Sequence, residues 1–431
     1  MKQVSLCMSE WTSVSARDRG GEDLRGLTLS DAQARRTARL LEQRGMLIVR
    51  ETFEGLEVEA TSFVGRVRVG NVTVAIQPKI APELLLRLFR YAYGLRRLPP
   101  LDQASFGAGN LFHELIIRQL CREVMELTRR GVHRRYVGRE ESLASPRGRV
   151  LLDRVSAVLV RPEIPCRHYA RDRDWHVNRV VVAGLAEARR LTNDPSMRAQ
   201  LRRLGDGFQG VRPIDLHPQA FARAWAALDR MSRIYNPVLD LIQVIHSGRA
   251  IALETNEADL VLDGFLYDMN RFFQALLGRL LRESLGEWEV REEWSLSQFM
   301  RYAPDANPRG RSAPRPRPDF AVRRVGSHSR MFLDAKYRDL WTRDLPSSML
   351  YQLAVYALSQ QGQPAATILY PAMGPDAKEA KVELRDPVAG GTRATVVLRP
   401  VDLVELDRVV EREDPISRDS RSAFASRLVL G

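Results

Sequence analysis

Two aspartates and a lysine stand close together in the C-terminal third of the sequence. Asp319 follows Pro318, and the tripeptide Asp334-Ala335-Lys336 begins fifteen residues farther on. Alternate side chains of a strand point to opposite faces, so Asp334 and Lys336 project from the same face. If the strand that begins at Asp319 pairs with this one, the two carboxylates approach each other, and a divalent cation relieves their repulsion. A metal ion and an ammonium group beside an attacking water are suited to phosphodiester hydrolysis.

The surrounding pattern predicts the elements that position these residues. An Asp and a Lys two residues apart on a strand are common and often have no chemical role, so the order of elements carries the prediction. Gln352 and Tyr356 are four residues apart and share one face of a helix, which we expect to cover the metal site. The predicted helices are Asp268–Ser284 and Ser347–Gln361, and the predicted strands are Glu287–Trp294, Asp319–Arg323, Met331–Tyr337 and Ala366–Tyr370.

The whole chain divides into three segments by pattern, which predicts a multidomain α+β protein. Residues 1–82 are rich in strands, and the run RVRVGNVTVAI predicts a hairpin that turns at Gly70-Asn71. Residues 83–245 are expected to be mainly helical, because apolar residues recur every three to four positions. From residue 246 to 431 helices and strands alternate, which indicates an α/β domain.

Composition excludes several classes of protein. The 431 residues carry a net charge of +13 and three cysteines far apart in the chain, so no disulfide framework or cysteine-pair zinc site is indicated. No signal peptide or membrane-spanning stretch is recognisable, and we expect a cytoplasmic protein without membrane contact. The seven histidines form no metal-ligand pair, and no P-loop motif is present. The basic charge is compatible with nucleic acid but is also common in Arg-rich proteins.

The order helix–strand–strand–strand–helix–strand resembles the core of PD-(D/E)xK nucleases. By that resemblance Asp319 and Asp334 are metal ligands for Mg²⁺ and Lys336 is the catalytic lysine, and we add Gln352 to the catalytic set. Longer segments are similar to McrC, the nuclease subunit of McrBC modification-dependent restriction systems. These segments are FVGRVRVGNVTVAIQPKI, LFRYAYGL, GVHRRYVGREESLASPRGRV, DRDWHVNRVV, DMNRFFQALL, PDF, LDAKYR and YQLAVYA.

The McrC resemblance implies partners as well as chemistry. It implies a type IV restriction endonuclease, used in phage defence, that cuts double-stranded DNA carrying modifications such as 5-methylcytosine. It also implies a McrB-like AAA+ GTPase hexamer, which binds the GTP and whose turnover the chain stimulates. Residues 1–82 are then the partner-docking domain, and residues 246–431 the nuclease domain.

Two features keep alternatives open. The family usually has a glutamate after the two phenylalanines of the first helix, where this chain has Gln274, so a second metal position is in doubt. A nuclease-fold adaptor that is weakly active or inactive, and that only binds and stimulates the GTPase, is therefore the alternative function. The Arg-Pro loop, residues 308–318, carries four arginines that either grip DNA or form a solvated loop.

Overall fold

The contacts of the chain define two compact units. The computed structural model describes residues 3–29, 31–95, 112–129, 131–157, 163–250, 264–303, 305–327, 329–360, 364–411 and 415–431. Residues 1–97 and 266–431 form the first unit, and residues 98–265 form the second. This division differs from the three consecutive segments 1–82, 83–245 and 246–431 expected from the sequence, because the N-terminal strands join the C-terminal region in one unit.

The strands and helices are numbered in chain order. The described strands are β1 (Val4–Ser9), β2 (Ser13–Ser15), β3 (Leu47–Thr52), β4 (Gly55–Ala60), β5 (Phe63–Val69), β6 (Val72–Gln77), β7 (Arg135–Leu143), β8 (Arg149–Val150), β9 (Ile164–Asp172), β10 (Gly264–Asp268), β11 (Trp288–Glu292), β12 (Phe320–Arg324), β13 (Met331–Ala335), β14 (Ala365–Ala372), β15 (Ala380–Arg385) and β16 (Thr392–Asp402). The described helices are α1 (Ala32–Gln43), α2 (Pro82–Tyr93), α3 (Phe112–Arg129), α4 (His176–Leu191), α5 (Pro195–Asp206), α6 (Pro218–Ala226), α7 (Asn236–Ala250), α8 (Met269–Ser284), α9 (Ser347–Leu358), α10 (Leu403–Glu411) and α11 (Pro415–Leu430). In the part of the chain that the structure describes, no helix is long and apolar enough to cross a membrane.

The N-terminal sheet has the strand order β1-β6-β5-β10. β5 and β6 form the predicted hairpin, in which Val69 pairs with Val72 and Gly70 adopts φ 60°, a left-handed conformation that glycine reaches without strain. β1 runs parallel to β6, and β10 completes the sheet beside β5. Because β10 leads directly into α8, which packs on α2, the N-terminal strands are tied to the C-terminal part of the same unit.

The C-terminal sheet has the strand order β11-β12-β13-β14-β16-β15. β11, β12 and β13 are antiparallel, whereas β13, β14 and β16 run parallel to one another. β14 is buried along almost its whole length, as expected for a central strand covered on both faces. α9 packs on β14 and β16, and α8 packs on β11 and β13. The prediction of a mixed α+β protein with a β-rich N-terminal region is confirmed.

The predicted elements of the C-terminal region are present with shifted ends. β12 begins at Phe320, so Asp319 lies one residue before the strand, and β13 ends at Ala335, so Lys336 lies one residue after it. The backbone N–H of Lys336 still donates to Leu369 O at 3.0 Å, so the pairing of β13 with β14 continues past the strand end. α9 ends at Leu358 rather than at residue 361, which lies outside the described residues.

The second unit contains the helices α3 to α7 and a small antiparallel sheet. In that sheet β9 lies between β7 and β8. The sequence predicted a mainly helical region here and no strand where β7 lies. The strand escaped prediction because eight of its nine residues are exposed, so its sequence shows no alternation of apolar and polar residues.

Candidate active site

The pairing of β12 with β13 brings Asp319 beside Asp334. Phe320 stands opposite Leu333 in the antiparallel register, which places Asp319 level with Asp334 at the end of the pair. Asp319 Oδ2 accepts a hydrogen bond from the backbone N–H of Ala335 at 2.8 Å. The predicted pairing of these two strands is therefore confirmed, and the two carboxyl groups interact electrostatically.

Lys336 contacts the second of these carboxylates. Its Nζ lies 2.8 Å from Asp334 Oδ2. The Asp334 side chain is only 2% exposed, whereas that of Lys336 is 23% exposed, so the ammonium group reaches toward solvent from a buried partner. The other oxygen, Asp334 Oδ1, is buried and has no hydrogen-bond partner among the described residues. An unsatisfied buried carboxylate oxygen is costly and requires a ligand, a proton or a water.

Burial and mutual repulsion control the charges of this cluster. The pKa of Asp319 is raised to about 6, first by burial and then by the charge of Asp334, against the opposing effect of Lys336. Burial likewise raises the pKa of Asp334, although Lys336 opposes the shift. For Lys336, burial lowers the pKa, but the charges of Asp334 and Asp319 outweigh it and the net shift is upward. The lysine is therefore held as an ammonium, while the two carboxyl groups lack enough positive charge to ionise easily.

The helix α9 holds the loop that precedes Asp319. Gln352 Nε2 donates to the hydroxyl of Tyr356 at 2.6 Å, and that hydroxyl donates to the backbone carbonyl of Arg317 at 2.9 Å. The structure thus places Gln352 in contact with Tyr356, which fixes the backbone two residues before Asp319. The predicted shared face of Gln352 and Tyr356 is confirmed, and the hydrogen bonds of this face support the site from its edge.

Glu293 is a site residue that sequence reasoning missed. Its backbone N–H donates to Asp319 O at 2.9 Å, and its φ of 48° is left-handed, which is unusual for a residue with a side chain. Its carboxylate adds a small upward effect to the pKa of Asp319, after burial and Asp334. The available signal was its place at the end of the predicted strand Glu287–Trp294, next to the strand that Asp319 begins.

The remaining residues singled out by sequence lie around this cluster. Arg309, Arg311, Arg315 and Arg317 of the Arg-Pro loop are all exposed. Arg317 lies 3.7 Å from the Glu293 carboxylate, which connects the end of the loop to the site. Gln274 is half-buried on α8, the helix that packs on β11 and β13.

The donor set fits a hard cation that retains water ligands. Among the described residues no group of three or more His, Cys, Asp or Glu side chains is arranged to hold a metal. Asp319 and Asp334 offer two carboxylates, and the unpartnered Asp334 Oδ1 is free to coordinate. Mg²⁺ is typically held by one or two carboxylates, with water and substrate phosphate completing its shell. The residues present therefore fit Mg²⁺ with few protein ligands.

Comparisons with known proteins place the fold in a known group. A chain of the refined half-complex of Thermococcus gammatolerans McrB AAA+ hexamers with bound McrC has a similar structure, with a TM-score of 0.59 and 22% identity over 99% of this chain and 100% of that one. A chain of the Thermococcus gammatolerans McrBC complex matches with a TM-score of 0.46 and 21% identity over 67% of this chain and 90% of that one. No curated protein sequence matches this chain.

A family model covers most of the sequence. The model of the McrBC 5-methylcytosine restriction system component matches residues 58–371, which are 314 of the 431 residues. The matched range includes the N-terminal hairpin, the second unit and the cluster of Asp319, Asp334 and Lys336. The resemblance to McrC noted in the sequence is confirmed, and the chain belongs to the McrBC 5-methylcytosine restriction system component family.

Proposed function

We propose that this protein is a McrC-like, Mg²⁺-dependent DNA endonuclease subunit with a PD-(D/E)xK site. It acts on modified double-stranded DNA together with a McrB-like AAA+ GTPase hexamer, which binds the GTP. Family membership supports the restriction system, and the similar fold of a chain from an assembly of McrB hexamers with bound McrC supports the partner.

The single observation that carries the nuclease assignment is the cluster of Asp319, Lys336 and the buried Asp334. A structural ion pair would satisfy both oxygens of its carboxylate, yet Asp334 Oδ1 has no partner among the described residues. Burial, and for Asp319 also the charge of Asp334, raises the pKa of both groups, and Lys336 offsets these shifts only in part. Two carboxylates in excess of one ammonium are the arrangement that a divalent cation stabilises.

The residues of the chain then have separate roles. Asp319 and Asp334 would hold the cation. When bound, the cation would act as a Lewis acid that activates water and offsets the charge of the phosphate. Because the pKa of Lys336 is raised, its Nζ remains protonated and donates hydrogen bonds to an attacking water and to the developing negative charge. Gln352 and Tyr356 keep the Arg317 carbonyl, and with it Asp319, in place.

The exposed arginines of the Arg-Pro loop would bind DNA phosphates next to the cluster. The loop ends at Pro318, directly before Asp319, so a phosphate bound by Arg315 or Arg317 would lie near the carboxylates. Neutralising phosphates with arginine also releases counterions, which strengthens binding at low salt.

The test is a cleavage assay with the McrB-like partner, GTP and Mg²⁺ on methylated and unmethylated DNA. We expect Asp319→Ala and Lys336→Ala each to reduce cleavage at least about 100-fold, because each removes a group that acts on the reacting phosphate. Glu287→Gln and Lys381→Ala are matched controls, since both side chains are well exposed and should leave cleavage unchanged.

The same samples separate the nuclease from the adaptor alternative, which the glutamine at position 274 favours. The nuclease assignment requires that the wild-type protein cuts and that both site variants still stimulate GTP hydrolysis by the partner. A wild-type protein that stimulates GTP hydrolysis but never cuts DNA would establish the adaptor. Cleavage by both site variants at the wild-type rate would refute the assigned site.

A further inference from the structure

A cavity of about 350 Å³ opens within the first unit, and the candidate nuclease cluster does not line it. Its walls come from both sheets. Glu10 and Trp11 follow β1, and Lys79 follows the parallel strand β6. Tyr337 to Asp339 follow β13, Met373 follows β14, and Leu403 follows β16, and these three strands are also parallel. The carboxyl ends of parallel strands are where α/β proteins commonly bind ligands.

Polar atoms in the wall of this cavity lack partners. Glu10 Oε2, Trp11 Nε1 and Arg338 Nε are buried without a hydrogen bond to any residue that the structure describes. Trp11 also has φ 58°, a left-handed conformation that costs energy in a residue with a side chain. Buried polar atoms without partners and left-handed residues with side chains are features that cluster at binding sites.

The side chains define what chemistry would fit. The Arg338 guanidinium lies over the Trp11 ring, 5.3 Å from its centre, and Trp341, which is 52% exposed, lies at the cavity wall. These flat groups favour a planar, aromatic ligand. Lys79 and Arg343 bring positive charge to a wall that also contains Asp339 and Asp376, and Arg343 donates to the carbonyl of Trp11 at 2.7 Å.

The carboxyl group of Glu10 supplies the polar edge of the cavity. Its Oε1 accepts hydrogen bonds from the Tyr337 hydroxyl and from the backbone N–H of Lys79, both at 2.7 Å. These bonds orient the group and leave Oε2 for another partner. A carboxyl oxygen held beside stacking groups is suited to the hydrogen-bonding edge of a nucleobase.

We propose that this cavity binds one nucleotide unit, with the base stacked against the indole rings of Trp11 and Trp341 and the phosphate near Lys79 and Arg343. The size agrees, because small-molecule sites occupy about 300–1,000 Å³. The unit is either a free nucleotide or an extrahelical nucleotide of DNA. This site lies beyond the proposed nuclease function and does not depend on it.

The test uses the fluorescent base 2-aminopurine in two forms, without divalent cations so that no cleavage occurs. One probe is the free 2-aminopurine deoxyribonucleoside monophosphate, and the other is a short duplex with one extrahelical 2-aminopurine. We expect saturable quenching of at least one probe with one site per chain. Trp341→Ala should weaken that binding about fivefold or more, the usual effect of losing one base-stacking ring.

Matched variants separate this site from general DNA binding. Lys79→Ala should also weaken binding, whereas Trp288→Ala and Lys381→Ala, which lie outside the cavity wall, should not. Binding of the free probe identifies a free nucleotide as sufficient, and binding of the duplex probe alone identifies DNA as the source. The proposal is overturned if neither probe binds, or if Trp341→Ala and Lys79→Ala bind both probes as tightly as the wild type.

Discussion

Asp334 and Glu10 are buried carboxyl groups of the same compact unit, but they are satisfied in different ways. Asp334 lies on β13 and pairs with an ammonium group, that of Lys336. Glu10 follows β1 and accepts from neutral donors, the Tyr337 hydroxyl and a backbone N–H. Each group keeps one oxygen without a partner among the described residues.

The difference between these partners indicates different chemistry. At Asp334, one ammonium group lies beside two carboxyl groups, so the cluster has a net negative charge when all three are ionised. A divalent cation would balance this charge and could then bind a phosphate. Neutral donors around Glu10 leave a group whose pKa burial raises to about 7, so that it is protonated in part near neutral pH. Such a group exchanges hydrogen bonds with a neutral ligand edge rather than coordinating a metal.

The largest expected contrast comes from changing each acid to its amide. Asp334→Asn removes only the charge and should reduce cleavage about 1,000-fold in the partner-dependent assay. Glu10→Gln should cut DNA at close to the wild-type rate, because Glu10 is not part of the cluster. Equal losses in the two variants, with both proteins folded, would show that the two regions form one functional site.

The second contrast is the pH dependence of stability. The pKa of Glu10 is about 7 in the folded chain against an ordinary 4.5, so the folded state binds more protons between these values. Its contribution to the free energy of unfolding is therefore full below about pH 4.5 and is lost as pH rises to about 7. As the pH rises from about 4 to about 8, the free energy of unfolding of Glu10→Gln should therefore increase by about 3 kcal/mol relative to that of the wild type.

Urea unfolding at a series of pH values measures this difference. Glu287→Gln is the control, because that side chain is 78% exposed and its replacement should leave the pH profile unchanged. If the free energies of unfolding of the wild type and Glu10→Gln change with pH in the same way over the whole range, Glu10 titrates normally. The proposed difference between Glu10 and the cluster of Asp334 would then be wrong.

The smallest contrast concerns the two tyrosines that support these regions. Tyr337→Phe removes the buried donor to Glu10 and should lower the free energy of unfolding by about 1–3 kcal/mol. Tyr356→Phe removes a part-buried bond to the Arg317 carbonyl and should cost only about 0.5–1.5 kcal/mol. Cleavage should respond in the opposite order, since Tyr356 holds the backbone before Asp319. Thermal unfolding and cleavage rates of both variants test this ranking, and a reversed ranking in either measurement would contradict it.

The candidate cluster was predictable because its signals are local. Asp334 and Lys336 are two residues apart, and the period of a strand, which continues in the pairing of Lys336 just beyond β13, places them on one face. The pairing with the strand after Asp319 followed from the order of elements. The bond from the Tyr356 hydroxyl to the Arg317 carbonyl could not be predicted, because helical spacing shows which residues share a face but not which backbone carbonyl a side chain reaches.

Other features gave no sequence signal, for definite physical reasons. β7 is exposed along most of its length, so no alternation marks it as a strand. Glu293 gains its place beside Asp319 through the β11–β12 pairing and a left-handed backbone, neither of which a single glutamate reveals. The division into two units also differs from the three segments expected from the sequence, because sequence distance does not show that β10 joins the N-terminal sheet.

The sequence by itself determined the hairpin at Gly70, the order of elements around Asp319, Asp334 and Lys336, and the family. These depend on residue periodicity and short motifs, which neighbouring positions encode. Only the tertiary structure decided that Glu10 meets Tyr337, 327 residues away, and that the ends of two sheets enclose one cavity. That contact arises because the N-terminal strands and the C-terminal sheet share one unit, and the burial that makes Glu10 a weak acid exists only once the two parts of the chain have packed together.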